Sequence, residues 1–515
     1  MPAQNAVDKT KTVADPNAEY ESMYPIWERC RAICSGEEAV KTYDNAIDTM
    51  NYGNMLIPFS PSMSLAQYKF YKAEAEFPGI TAEFSKMIVG GLLRKKPSLT
   101  FTNKQISEDT IDWLLNSFGQ DGSSLTSFLS KALEEEIVTS RAWLFIDHPA
   151  VANFETLTKK QRSEIHPYPV LWKAEDVINW KTTKSAGGKL LLSQVVVKCY
   201  EESFSESEFH PDLTEVVNVY ELHEGKYRIR KFAKSVEARQ VKVISGERHH
   251  NFEKDTYKLV DTFDNILVNG EKLTHLPIFP LSGSISTSVP ILATIVDKEI
   301  SLYNKVSRRN HLLYGAATYT PIISADITDD QFESIVNQGL GSWILLPENG
   351  KASVLETPTD ALKDMDRAIA SSIEELAKLG IRMLSPETAQ SGVALEIRNA
   401  AQTAKLGSLN SKISSTLEKV VRFMILWDSG IELSDADIDF SLSDDFNPVP
   451  LGADWLRLAT EWYESGLIPR SAWLVLLKQN DVIDTDYNDE QGREEILADE
   501  FVNKEDDFDD KLDKD

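Results

Sequence analysis

The sequence predicts an α+β chain of several subdomains, on three observations. Apolar residues recur at helical spacing from Tyr20 to about Ser140, and a β-branched middle third reads as an antiparallel meander. Residues 289–430 then hold two helices around a compact non-helical insert, a small-residue loop and one very long helix.

At 515 residues the chain exceeds what one hydrophobic core serves, and 42% apolar with 9% aromatic residues is enough to fill several. Net charge is −27, much of it in residues 484–515, where fifteen acids face four bases for a local balance of −11. Such a block reads as a solvated tail, and the overall balance excludes a tight duplex binder, whose affinity rests on Lys and Arg. Cys30, Cys34 and Cys199 are too few for a disulfide framework and read as structural thiols. The first residues lack the apolar core of a signal peptide, and no run of about 18 apolar residues suggests a membrane span. The expectation is a soluble chain made in the cytoplasm.

Residues 1–19 are polar and read as disordered. Met23, Trp27, Cys30 and Ile33 then recur at helical spacing, as do Ile80, Phe84, Met87 and Ile88, and a second helix pair covers 107–118 and 125–138. Short strands follow at 142–146, 170–172, 177–180, 189–200, 216–222, 227–232 and 241–244, rich in β-branched residues and turned at His223-Glu224-Gly225. Ile291, Ile295, Leu302, Val306 and Leu313 mark a helix over 289–314, ended by Gly315 and Pro321. The insert should hold the strand YTPII, a short helix at 329–337 and the strand SWILLP before the turn ENG. A second helix is expected over 359–379 with Thr359 as N-cap, then a loop broken by Pro386 and Gly392, then a helix over 393–429. Ile413, Leu417, Val420, Met424 and Trp427 give that long helix its seam, and Gly407-Ser408 marks a bend. A strand at 437–442 and helices at 452–465 and 469–478 precede the tail.

Chemistry is sparse. The chain has no phosphate-cradling glycine loop, no HExxH and no GxSxG. His249 and His250 read as a solvated loop pair, and Glu134, Glu135 and Glu136 or Asp326, Asp329 and Asp330 as solvated faces. Neither an enzyme nor a cofactor is expected. The interesting charges are Lys298, Lys305, Arg308 and Arg309 on the first helix, and Lys363, Arg367 and Lys378 on the second, with Arg382 after it. Opposing acids at Asp297, Glu299, Asp364, Asp366, Glu374 and Glu375 favour helix-to-helix ion pairing; in a ring the same bases could also line a channel.

The order of features resembles the tailed-bacteriophage portal proteins (head-to-tail connectors), most of all the short-tailed-phage branch. It is carried by YKAEAEFPGITAEFSKMIVGGLLRKKPSLTF, AWLFIDHP, VDKEISLYNKVSRRNHLLYGAATYTPII, SPETAQSGVALEIRNAAQTAKLGSLNSKISSTLEKVVRFMILW and DWLRLATEWYESGLIPRSAWLVLLKQNDVI. The resemblance implies a wing over 20–288, helical to 140 and β-rich over 141–288, with a wing strand and linker at 431–450. It implies stem helices at 289–316 and 359–380, a small α/β clip at 317–358 between them, a tunnel loop at 381–392, a long wing helix at 393–430, a short helical crown at 451–498 and an acidic tail at 499–515. Channel residues would come from the seven stem bases, with Arg382, Ser385, Pro386, Glu387, Thr388, Gln390 and Gly392 in the tunnel loop. Docking would use the clip residues Asp326, Asp329, Asp330, Glu333 and Trp343. The implied function is a ring of twelve at one capsid vertex of the virion, passing double-stranded DNA transiently during packaging and ejection. Its implied partners are the major capsid protein, the terminase and a tail adaptor protein, with no membrane. Competing readings are a tail or baseplate structural protein and a metal-dependent nuclease.

Overall fold

The protein's structure, a computed structural model, describes residues 12–43, 55–149, 165–235, 243–244, 247–248, 256–317, 320–324, 350–355, 360–384, 392–443 and 453–479, with interruptions at 59, 61–62, 186, 204–208, 265 and 269–270 and a few isolated positions besides. Helix α1 (Ala18–Ser35) begins where Asn17 Oδ1 accepts from Tyr20 N at 2.8 Å, and it buries Met23, Trp27, Cys30 and Ile33 as their spacing predicts. The expectation of disorder over 1–19 is therefore corrected for 12–19. Val13 and Ala14 pack on the sheet cluster Ile178, Val196, Val217 and Val219, and Asn17 N donates to the Ile178 carbonyl at 3.1 Å. Two small apolar residues and one cap suffice, and a composition averaged over nineteen residues hides them. Burial pushes the Cys30 thiol up to about 12, so it stays protonated, as a structural thiol does.

Among the described residues five helices and a strand complete the helical part: α2 (Glu37–Tyr43), α3 (Leu65–Glu74), α4 (Ile80–Leu92), strand β1 (Ser98–Phe101), α5 (Glu108–Asn116) and α6 (Leu125–Thr139). Ser64 and Gln67 form a reciprocal capping box on α3, and Ser107 and Ser124 cap α5 and α6. The β-rich part holds β2 (Trp143–Asp147), β3 (Tyr168–Trp172), β4 (Val177–Lys184), β5 (Leu190–Ser203), β6 (Asp212–His223) and β7 (Lys226–Ser235). It continues with the short pairs β8 (Val243–Ile244) with β9 (Glu247–Arg248) and β11 (Leu267–Val268) with β12 (Glu271–Lys272), and with β10 (Thr256–Phe263) and β13 (Ile278–Pro280). An antiparallel five-stranded sheet runs β10-β7-β6-β5-β4, and a three-stranded one β13-β2-β3. Strand β10 was not expected from the sequence. Its residues are mostly exposed, so Tyr257–Phe263 lacks the strict alternation of a half-buried strand. The two sheets meet through stacked Phe145 and Trp172, 4.8 Å between centroids, with Tyr220 about equally close to both rings.

The turn from α6 into β2 is the densest polar point of this part. Ser140 adopts the left-handed conformation at φ 50°, which aims the next residue, Arg141, into the interior. The Arg141 guanidinium lies 4.1 Å from the Trp143 ring centroid and 4.8 Å from that of Trp180. It donates to the carbonyls of Ser284 at 2.8 Å, Ile285 at 2.6 Å and Ser286 at 3.3 Å. Ser140 Oγ accepts from Ile291 N at 3.2 Å, so the same turn holds both ends of the 284–291 segment. Burial lowers the Arg141 pKa to about 10 against the opposing pull of Glu136. Glu136 itself is buried and accepts from Ala142 N at 2.9 Å, while Glu135 grips Arg31 through two hydrogen bonds. Reading 134–136 as a solvated face is therefore wrong for two of the three. The run spans half a helical turn and more, so some of it had to face inward.

After β13 come α7 (Ala293–Ala317), β14 (Thr320–Ser324), β15 (Lys351–Leu355), α8 (Asp360–Leu384), α9 (Gly392–Ser429) and β16 (Ile438–Ser441). Helix α9 stays helical through Gly407-Ser408, and of its expected seam Ile413, Leu417, Val420 and Met424 are fully buried while Trp427 is half-buried. Val421, Phe423 and Ile425 are buried as well, so this stretch is enclosed on nearly every side. Asn410 donates to the carbonyls of Leu442 and Ser443, Ser414 Oγ bonds Asn410, and β16 pairs with β1 in the register Ser98↔Ser441. All these elements belong to one compact unit, Met1–Asp444. The second, Asp445–Asp515, contains α10 (Ala453–Glu464) and α11 (Arg470–Gln479), joined at Gly466 and stapled by Tyr463 stacked on Trp473 at 4.9 Å. The acidic tail and His249 and His250 lie outside the described residues.

Burial raises the Glu136 pKa to about 7, against lowering by the Ala142 amide and by the charges of Arg141 and Lys412. Folding thus favours protonated Glu136, and its contribution to stability declines as pH rises from the ordinary carboxylate range toward that value. Glu136→Gln keeps an acceptor oxygen and removes the titration. It should gain on the wild type by on the order of 1 kcal/mol between about pH 5 and about pH 8 in denaturant unfolding, with little difference at the acid end.

Candidate functional site

Helix α7 carries the densest set of singled-out residues, and its first half is rooted in the core. Leu292, Ile295, Val296, Leu302 and Tyr303 are buried at helical spacing, and Glu299 lies fully buried among them. Its Oε1 accepts from Ile80 N at 2.6 Å and its Oε2 from Thr81 N at 2.8 Å. Those amides open α4, whose N-cap is Gly79 at φ 70°, with no side chain to bond them. A carboxylate from a distant helix thus replaces the missing cap and meets the positive end of the α4 dipole. Asn304 acts likewise on an irregular segment. Its Nδ2 donates to Met55 O at 2.7 Å and Ile300 O at 2.9 Å, and its Oδ1 accepts from Ile57 N at 2.8 Å. Sequence reading placed Glu299 among the opposing acids and did not single out Asn304. The available signal was a charged residue centred in an apolar helical stripe, which requires a buried partner.

Helices α7 and α8 form an antiparallel hairpin with a polar inner seam. Lys298 Nζ meets Glu375 Oε2 at 2.8 Å, Lys305 Nζ donates to Ser372 Oγ at 2.6 Å, and Arg309 Nε donates to Asp366 Oδ1 at 3.0 Å. Lys298 holds the Glu375 carboxyl below the ordinary range. On α8 itself Lys378 pairs with Glu374 and Arg367 with Asp364. The helix-to-helix pairing expected from the sequence is what these bases do within one chain. Arg308 is exposed beside Tyr71, and Lys363 is exposed on α8. Asp297 pairs with Arg29 at 3.6 Å. The far end of α7 rests on α3 through Tyr314 against Phe70 and His311 against Tyr71.

Boundaries shift from the sequence reading. Helix α7 starts at Ala293, just after Pro290, and extends to Ala317 rather than Tyr314. Helix α8 runs to Leu384, five residues past the expected end, so Arg382 is helical and Gly380 is carried inside at the usual glycine cost of about 1 kcal/mol. Gly392 is the first residue of α9 rather than a loop residue. Ser385, Pro386, Glu387, Thr388 and Gln390 lie outside the described residues, as do Asp326, Asp329, Glu333, Trp343 and the strand SWILLP; Asp330 is exposed. Between the helices β14 pairs with β15 in the register Thr320↔Leu355. The sequence reading expected the first strand and missed the second, whose Lys-Ala-Ser start lacks β-branched residues. No group of three or more His, Cys, Asp or Glu side chains converges as a metal site among the described residues.

Residues 291–428, from the entry of α7 to nearly the end of α9, match a family described as a domain of unknown function (DUF4055), about a quarter of the chain. None of the curated proteins matches. Among solved structures the chain is similar to one described as "Neck of native GTA particle computed with C12 symmetry", at 12% identity and a TM-score of 0.35, over 78% of this chain and 90% of that one. A superposition that loose carries no argument about fold or function.

Glu299→Ala leaves two amides of α4 without a partner and should cost about 1–3 kcal/mol in equilibrium unfolding, with Glu299→Gln falling between it and the wild type. In a double-mutant cycle, Arg309→Ala with Asp366→Ala should show a coupling of only about 0.2–1 kcal/mol that shrinks with added salt, because the pair is half exposed.

Proposed function

We propose that this chain is the subunit of a closed ring that conducts double-stranded DNA, a portal of the short-tailed-phage kind. The observation that carries this reading is the α7/α8 hairpin, rooted by Glu299 and Asn304, closed at its far end by the β14/β15 pair and continued by the buried α9. The hairpin would be the stem, its two-stranded insert the clip, residues 20–288 and 431–450 the wing, and 451–498 the crown. Twelve copies would stand at one capsid vertex, with the clip docking the terminase during packaging and the tail adaptor afterwards, and the wing meeting the major capsid protein.

Two features support it. Helix α8 exposes several small or apolar residues around its circumference, Ala361, Ala368, Ala370, Ser371 and Ile373, which let neighbouring helices approach closely. The stem bases are mostly matched by acids or hydroxyls, which suits a conduit, because each phosphate neutralised by an available base adds affinity that opposes movement. On this reading the seven stem bases as a group guide passing phosphates rather than bind them.

Twelve copies of a 57.9 kDa chain have a mass of roughly 0.7 MDa. Light scattering of the full chain should approach that value as concentration rises, and end-on electron micrographs should show a central channel. Rings without a channel, or a chain that stays monomeric at every concentration, would overturn the proposal.

A further inference from the structure

The hairpin between β4 and β5 overhangs its own sheet. Gln194 is the first β5 residue paired with β6, so Leu190–Leu192 pairs only with Thr182–Lys184 of β4. Ser185 holds the turn that closes it: its N donates to Lys189 O at 2.8 Å, its carbonyl accepts from Gly188 N at 2.9 Å and its Oγ from Lys189 N at 3.1 Å. The ribbon exposes Lys181, Lys184 and Lys189, and none of the three forms an ion pair among the described residues. From Lys181 to Tyr200 the sequence contains no Asp or Glu, although the whole chain carries a net charge of −27.

Register sorts these side chains onto two faces. Lys184 lies opposite Leu190 and Thr183 opposite Leu191, and cross-strand partners share a face while successive residues alternate. One face therefore carries Lys184 with Leu190. The other carries Lys181, Thr183 and Leu191, with Lys189 beyond Leu191 toward the turn. On that second face Lys181 and Lys189 stand two residues to either side of the Thr183/Leu191 pair, a separation of roughly 13 Å. Two unpaired ammonium groups thus bracket an apolar spot on a ribbon whose turn is already fixed.

The leucines decide what kind of partner this suits. Leu190 is 59% and Leu191 41% exposed, so each leaves apolar surface in water that a partner can bury. A nucleic-acid backbone satisfies the lysines and offers nothing apolar to the leucines. A lipid bilayer offers both, but Lys189 and the turn precede the leucines, so a charge would have to enter the apolar layer first. An acidic protein surface meets lysines and leucines together. We infer that this hairpin docks a different protein, one that presents two carboxylates about 13 Å apart around an apolar residue. The inference does not rest on the ring reading; a ring would repeat the site once per copy.

The test uses the full chain and a labelled synthetic peptide repeating glutamate, threonine, leucine and threonine, which in extended form sets its acids at the spacing of the two lysines. Fluorescence anisotropy at low salt should show it binding the wild type. Lys181→Ser with Lys189→Ser should weaken binding about tenfold, with unchanged circular dichroism, and the difference should shrink as salt is added. Leu191→Ser should weaken it about threefold or more at every salt concentration, because apolar burial is not screened. Lys184→Ser, on the opposite face, should change it by less than about twofold. A peptide that fails to bind the wild type, or that binds all the variants alike, would overturn the docking site. Duplex DNA or phosphatidylglycerol vesicles that bind as tightly as the peptide and release the double variant would overturn the choice of a protein partner. Self-association of the wild type that is lost in the double variant would overturn it in favour of a second copy.

Discussion

The buried carboxylate of Glu299 is the constraint on which the largest part of the architecture depends. A charge removed from water must be hydrogen-bonded at both oxygens or its burial becomes prohibitive. Glu299 meets that condition with the first two amides of α4, and α4 in turn has no other cap. Apolar packing tolerates small slides and rotations of one helix on another, whereas two hydrogen bonds to fixed backbone amides do not. Asn304 adds a second fixed point about one and a half turns further along, on the chain at Met55 and Ile57. Two such points set both the rotation and the axial position of α7, and the α7/α8 hairpin inherits its direction from them.

Arg141 does for the β-rich part what Glu299 does for the helical one. Its guanidinium gathers three successive carbonyls just ahead of α7 while lying against Trp143 and Trp180. The entrance of α7 is thereby tied to β2 and β4, and its middle to α4. Charge is used differently elsewhere in the molecule. Along the hairpin it is matched within the chain and exposed, where each pair contributes little to stability and much to alignment. At the hairpin between β4 and β5 it is segregated, where Lys181, Lys184 and Lys189 form no ion pair among the described residues.

Much of this was legible in the sequence. The long helix, the meander and both terminal helices follow from periodicity and turn residues, because burial on one face leaves a repeating mark. What periodicity does not record is the polar interior. Glu299 and Glu136 look like members of charged runs, since nothing in their neighbours reveals that an amide 219 or six residues away is the partner. Strand β10, nearly all exposed, lacks the alternation by which a strand is recognised. The extension of α8 through Gly380 was missed because a glycine near an expected end reads as a stop. The inner seam of the hairpin was legible as opposed rows of charge, while the pairing of individual residues needed the antiparallel register.

The pairing of β1 with β16 has a consequence for how the chain is made. Ser98 bonds opposite Ser441, so the sheet that closes the first unit joins segments separated by most of its length. Contacts of such long range are slow to form, because loop-closure entropy is lost before they are gained. During synthesis β1 must therefore wait for β16 to emerge. A first unit that closes its last strand pair only after β16 has emerged must hold β1 unpaired for most of its own synthesis.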